Sequence, residues 1–197
     1  MKKVIHKADT RGHSQYDWLD SYHTFSFDEY FDSNRINFGA LRVLNDDKVA
    51  PGEGFQTHPH KNMEIISIPL KGHLQHGDSK KNSRIITVGE IQTMSAGTGI
   101  FHSEVNASPV EPVEFLQIWI MPRERNTHPV YKDFSIKELE NGELSMKVNG
   151  TPIEMKSVYP WQGMVRKKYS DVYLTAFRDE NGTVFAARYG SRIFPKA

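Results

Sequence analysis

The fold turns on Gly52-Glu-Gly-Phe-Gln-Thr-His58-Pro-His60-Lys-Asn-Met-Glu64, a stretch answered further along by Gly97-Thr-Gly-Ile-Phe-His102-Ser-Glu104. Each contains a pair of metal-competent side chains two residues apart. Side chains alternate along a strand, so positions i and i+2 share a face. His58 and His60 therefore look the same way, and so do His102 and Glu104. Pro59 favours extended backbone here, because the residue before a proline is driven out of the α region. Ligands on a helix would instead stand three or four apart. The spacing predicts strands.

Two such dyads assemble three imidazoles and one carboxylate. The chain has no cysteine, which excludes thiolate zinc sites and iron–sulfur clusters. Imidazole suits Fe, Zn, Cu and Ni, and an open histidine site that also holds a carboxylate suits Fe(II) working with dioxygen. The expected cofactor is one divalent metal, Fe(II) first, with Zn, Cu, Ni and Mn as alternatives. Four protein ligands on a six-coordinate ion would leave positions for water, substrate or dioxygen.

Composition narrows the class. With 197 residues, 38% of them hydrophobic and 25% charged, the chain reads as an ordinary globular protein with ample core. A formal net charge of +1 gives no global pull toward nucleic acid or an anionic membrane. Met1-Lys-Lys is a basic start with no apolar segment behind it, and no run approaches a membrane span. A cytoplasmic location is expected.

The first part of the chain alternates short apolar runs with Gly, Pro and Asn/Asp punctuation. Strands are expected over 38–44, 55–60, 64–70, 73–76, 84–88, 91–94 and 114–121, with Asn45-Asp46-Asp47 read as a turn. No stretch there sustains a helical period. This pattern predicts an all-β barrel or jelly roll, whose alternating inward residues would enclose a small ligand. Ahead of it, Trp18, Leu19, Tyr22, Phe25 and Phe27 form an aromatic segment expected to cover one end. His23 within that segment reads as a hydrogen-bonded structural residue, and His6 and His13 read as surface. A strand is expected over 3–7. His73 and His76 fall on opposite faces of one strand, so at most one lines the cavity. Gln117 and Trp119 share a face and are candidates to look into it.

Over 121–130, Pro122 and Pro129 bracket five polar residues and His128 and mark a linker, which divides the chain into 1–122 and 123–197. Beyond it, Asn149-Gly150 and Glu180-Asn181-Gly182 predict two hairpins, and Arg166-Lys167-Lys168 reads as a solvated turn.

These motifs resemble known ones. Gly52 to His60, Glu64 and Gly72 look like the first cupin motif, and Gly89, Gly97, His102 and Asn106 look like a modified second one. More narrowly, Leu19-Asp-Ser-Tyr-His23-Thr-Phe-Ser-Phe27, His58-Pro-His60, Met94-Ser-Ala-Gly-Thr-Gly99, His102-Ser-Glu104 and Leu116-Gln-Ile-Trp-Ile120 resemble the pirin family. The resemblance implies an iron-binding bicupin, several bacterial members of which open the flavonol quercetin with dioxygen. It implies His58, His60, His102 and Glu104 as ligands, and favours Glu104 over Glu64, the position of the ordinary cupin glutamate. It also implies a complete second barrel, for which 123–197 is short. A reduced second segment is therefore expected, or one completed by a partner chain, with the protein a monomer or a dimer.

Two classes of function follow. The first is a mononuclear Fe(II) dioxygenase acting on a flavonol-like aromatic, with Glu104 as a metal ligand and the acceptor of the substrate's hydroxyl proton. The second is a non-catalytic, metal-dependent sensor or regulator of a partner protein. A cupin isomerase or hydrolase using another metal is a third reading, because fold alone does not choose chemistry.

Overall fold

A computed structural model describes residues 7–138, 144–153, 157–159, 164–169, 172–178, 184–189 and 192–195. The strand expected over 3–7 and His6 lie largely outside them. Among the described residues the helical structure is a single 3-10 turn, Ala8–Thr10, and everything else regular is strand. The chain forms two compact units, Met1–Asp133 and Phe134–Ala197. The stretch 121–130 lies inside the first.

The first unit is a jelly-roll sandwich of two antiparallel sheets. One sheet holds β1 (Gly12–Gln15), β2 (Leu19–His23), β3 (Leu41–Val49), β5 (Glu64–Lys71), β8 (Glu90–Ser95) and β10 (Val113–Ile120) in the order β1-β2-β3-β10-β5-β8. The other has the order β4-β9-β6-β7, formed by β4 (Gly54–His60), β6 (His73–Asp78), β7 (Ser83–Thr87) and β9 (Ile100–Asn106). The jelly-roll expectation therefore holds as two packed sheets rather than a closed barrel. β4 and β7 remain edges of their sheet, and the sheets meet through side chains.

Period-two burial explains why these residues make strands. β3 and β9 bury every second residue along most of their length, with charged or half-exposed residues between. Leu19, Val49, Val113 and Phe115 on the larger sheet pack with Leu74 of β6, with Trp18 and Phe55 against them. Ile65, Met94 and Ile100 make a second cluster, joined by Ala96, Met63 and Trp119. Burying such side chains contributes about 1.5–3 kcal/mol each.

Asn45-Asp46-Asp47 is not a turn. It is the middle of β3, with Asn45 and Asp47 buried on the inner face. Asn and Asp favour turns through local backbone hydrogen bonds. Here the register of β3 against β2 and β10 supplies the backbone partners instead, and the side chains look inward. The aromatic segment is likewise partly strand, since Leu19–His23 is β2.

β11 (Val130–Glu138) begins in the first unit, and in the second it pairs from Phe134 onward with β12 (Leu144–Val148), which pairs with β13 (Thr151–Ile153). Asn149 and Gly150 close the β12–β13 hairpin with φ of 49° and 74°, the positive values that a type I′ turn requires. A five-stranded meander follows: β14 (Ser157–Tyr159), β15 (Met164–Tyr169), β16 (Val172–Arg178), β17 (Val184–Tyr189) and β18 (Arg192–Pro195). β16 and β17 form the second expected hairpin, whose turn residues 180–182 lie outside the described ones. Arg166-Lys167-Lys168 falls within β15 rather than in a turn, because it pairs with Tyr173 to Thr175 of β16.

Candidate metal centre

β4 and β9 lie side by side, and this pairing builds the site. His58 stands opposite His102, and Phe55 opposite Glu104. Between these pairs the register slips, because three steps along β4 match two along β9. Such a bulge re-aims the side chains beyond it. Phe55 and His58 would face opposite ways on a regular strand, yet the bulge puts each across from an inward residue of β9. Gly54 starts the strand at φ 153°, where an added Cβ would sit 2.4 Å from the Glu104 carbonyl oxygen. Only glycine lets β4 approach β9 so closely.

The outcome is a cluster of His58, His60 and His102, each offering one ligand atom, all of them within 4.8 Å of one another. His58 and His102 have ring centroids 4.5 Å apart, and His60 lies 4.8 Å from His58 and 4.9 Å from His102. Nδ1 of His58 donates to the Gln56 carbonyl at 2.7 Å, which leaves Nε2 as the lone-pair nitrogen. Nε2 of His60 and both ring nitrogens of His102 are buried with no hydrogen-bond partner among the described residues. Each such orphan costs about 1–3 kcal/mol, a penalty that metal ligation relieves. Burial, then the charge of neighbouring histidines, pulls His60 down to about 4 and His102 to about 3. Both are thus neutral at pH 7, which is the form that ligates. The three residues fit a divalent, imidazole-loving metal.

Glu104 is 1% exposed and differently furnished. Ser67 and Gln92 donate to its Oε1, and Gln117 donates to Oε2. These donors belong to a row of buried polar side chains crossing five strands of the larger sheet. His23, Asn45, Gln117, Ser67 and Gln92 stand opposite one another in register. An apolar row of Val43, Trp119, Ile65 and Met94 flanks it on one side. Gln117 and Trp119 share the inward face as the sequence predicts. Asn45 belongs to the expected turn and Ser67 and Gln92 carry no motif, although a lone polar residue at an inward position between Ile66 and Ile68 is a readable signal.

A cavity of about 600 Å³ opens on the site. His58, His60, Glu104 and Gln117 line it together with Tyr16, Trp18, Phe27, Phe55 and Trp119. The Trp119 ring packs edge-on against His60 at 4.8 Å and against Phe27 at 5.4 Å. His23 also lines the cavity and is a hydrogen-bonded residue as expected, with Nε2 2.9 Å from Ser14 Oγ. His13 pairs with Asp20 at 2.6 Å at the surface. Glu64 and the expected ligand Glu104 both lie outside the group whose ligand atoms gather within 4.8 Å, and Glu64 accepts from Ser95 at 2.7 Å.

Of the His73/His76 pair, His76 is the buried one, and it lies behind His102 with ring centroids 5.5 Å apart. Its Nε2 meets Asp78 at 3.1 Å, and Tyr131 stacks on its ring at 4.5 Å. Burial alone would raise the Asp78 carboxyl. Hydrogen bonds from Asn82, His76 and the Lys80 backbone outweigh that and hold it below the ordinary carboxylate range.

Comparison with known proteins agrees with this geometry. The Pirin family model matches residues 4–120. The chain belongs to the pirin family. A quercetin 2,3-dioxygenase of Escherichia coli K12 is 44% identical over 162 residues, covering 80% of this pirin and 70% of the relative. A putative quercetin 2,3-dioxygenase of Mycobacterium tuberculosis H37Rv is 42% identical over 75% of this pirin and 61% of its own length. The bacterial pirin YhhW of E. coli in complex with nickel(II) superposes with a TM-score of 0.64 at 40% identity, over 88% of this chain and 72% of that one. No helix among the described residues is long and apolar enough to cross a membrane.

Proposed function

We propose that this pirin is a mononuclear metal-dependent dioxygenase that opens a flavonol such as quercetin, with Fe(II) as the working metal and the cytoplasm as its place of action. The observation that carries the reading is the cluster of His58, His60 and His102, in which His60 and His102 hold buried nitrogens without a partner and His58 and His60 line an aromatic cavity of about 600 Å³. That volume suits a ligand of three fused or linked rings. His58, His60, His102 and Glu104 would hold the metal, and the metal would supply redox chemistry toward dioxygen.

The chain's own residues then do the rest. Trp18, Phe27, Phe55 and Trp119 exclude water and grip the rings by stacking and edge contacts. Glu104 accepts the proton of the substrate's reactive hydroxyl, and Ser67, Gln92 and Gln117 keep its carboxylate aimed while it does so. His58 is oriented by the Gln56 carbonyl. The division of labour places metal and chemistry in 1–122 and leaves 123–197 as a reduced β segment outside the ligand set. The identity of relatives named quercetin 2,3-dioxygenase supports the substrate class.

Oxygen uptake with quercetin tests the reading. The Fe(II)-loaded protein is expected to consume dioxygen and the metal-free protein not to. Glu104→Gln should keep much of its metal yet lose turnover by about 100-fold, the usual size of a general-base contribution. Full iron occupancy with no uptake across a flavonol panel would overturn the catalytic reading.

A further inference from the structure

Asp47 is a residue that the proposed chemistry does not use. It sits on the inner face of β3, 2% exposed, and its carboxyl lines the same cavity as His58 and His60. Ser21, opposite it on β2, donates to its Oδ1. No lysine, arginine or histidine among the described residues forms an ion pair with it, since Arg11 pairs with the neighbouring Asp46 on the other face. A buried acid without a cation is costly, and the fold does not need one here. An asparagine at this position could accept the Ser21 hydrogen bond equally well. The acid is therefore unexplained by packing.

Its surroundings say what it could meet. Phe115 stands beside it in register, Phe55 packs edge-on to Phe115 and Trp18 edge-on to Phe55, with centroids 6.5 and 5.2 Å apart. The polar atoms near it, Ser21 and the Ser14–His23 pair, continue along the same wall. The histidine cluster belongs to the opposite sheet. The cavity thus has an aromatic slot with ligating nitrogens on one wall and a hydrogen-bond acceptor on the other.

We propose that Asp47 is a specificity-determining residue, accepting a hydrogen bond from a peripheral phenolic hydroxyl of the bound aromatic, at the wall facing the metal ligands. The inference rests on the flavonol reading and narrows it to polyhydroxylated rings. Burial, opposed by the Ser21 hydrogen bond and reinforced by the negative charge of Glu104, pushes the Asp47 carboxyl up to about 7. A neutral hydroxyl is a fitting partner for such a group, because the carboxyl accepts from it in either protonation state.

The test compares quercetin with 3-hydroxyflavone. Both carry the 3-hydroxyl and 4-carbonyl groups that face a metal, and only quercetin carries peripheral hydroxyls. Binding is measured by titration calorimetry under nitrogen on the full, metal-loaded chain. Wild type is expected to bind quercetin about tenfold more tightly, the size of one hydrogen bond to a carboxylate. Asp47→Leu, which neither accepts nor donates, should bring the two ligands to within about twofold. Ser21→Ala keeps the carboxyl and should keep the preference, which separates ligand recognition from support of the wall. Retention of the tenfold preference in Asp47→Leu would overturn the assignment, as would tight, equal binding of both ligands by wild type. If wild type binds neither flavonol, the flavonol reading itself fails, and the role of Asp47 falls with it.

Discussion

Two regions on the inner face of the four-stranded sheet are furnished in opposite ways. On the four-stranded sheet, His60 and His102 present buried nitrogens that nothing in the described protein satisfies. On β9, one inward position further along, Glu104 has both carboxylate oxygens taken by three donors from the larger sheet. The histidines are aimed by backbone alone, through the β4 bulge and the close approach at Gly54. Glu104 is aimed by side chains. The difference teaches that the buried histidine nitrogens a metal would fill carry no other partner, whereas the carboxylate is held in place by hydrogen bonds.

The largest way to break this contrast is His102→Ala, which removes the most deeply buried imidazole of the cluster. Dialysed protein is expected to retain no measurable metal by elemental analysis. Metal content equal to wild type would show that the cluster is not the site. A smaller blow sharpens the other half. Gln92→Leu leaves the histidines intact and strips one donor from Glu104, so metal affinity should fall by about 10–100-fold in a chelator competition. An unchanged affinity would mean that Glu104 needs no holding.

The smallest effect is in pH dependence, where the two walls titrate in opposite senses. His60 and His102 have depressed values, about 4 and 3, so the stability they contribute is present above the ordinary histidine value and is lost as pH falls through those values. Asp47 is raised to about 7, so its contribution is complete below its ordinary value of 3.8 and is lost as pH rises through about 7. Asp47→Asn should therefore raise the melting point of the metal-free protein by about 5 °C at pH 8 and leave it unchanged at pH 3. An equal shift at both pH values would mean that Asp47 does not titrate in this range.

Much of the site was legible because period-two alternation is a local property. His58, His60 and His102 needed only their spacing to be placed on one inward surface, and Asn149-Gly150 needed only its turn chemistry. What escaped depended on partners far away in sequence. The β4 bulge exists only relative to β9, so the chain between Phe55 and His58 carries no mark of it. Asn45 and Asp47 were read as turn residues because their intrinsic preference is for turns. Strands β2 and β10 overrode that preference and turned both inward. The polar row across the sheet was half visible, since Gln117 drew notice and Ser67 and Gln92 did not. The Arg166-Lys167-Lys168 triplet fell into β15 for the same reason, because charge pattern marks exposure and does not separate turn from strand.

The central claim is that one metal is held by His58, His60, His102 and Glu104, with Glu64 outside the coordination sphere. A crystal structure of the iron-loaded protein, with anomalous scattering at the iron edge, tests it most directly. One peak is predicted, within about 2.0–2.3 Å of a ring nitrogen from each histidine and of a Glu104 oxygen. A peak bonded to Glu64 with Glu104 turned away, or a peak remote from the three histidines, would contradict it.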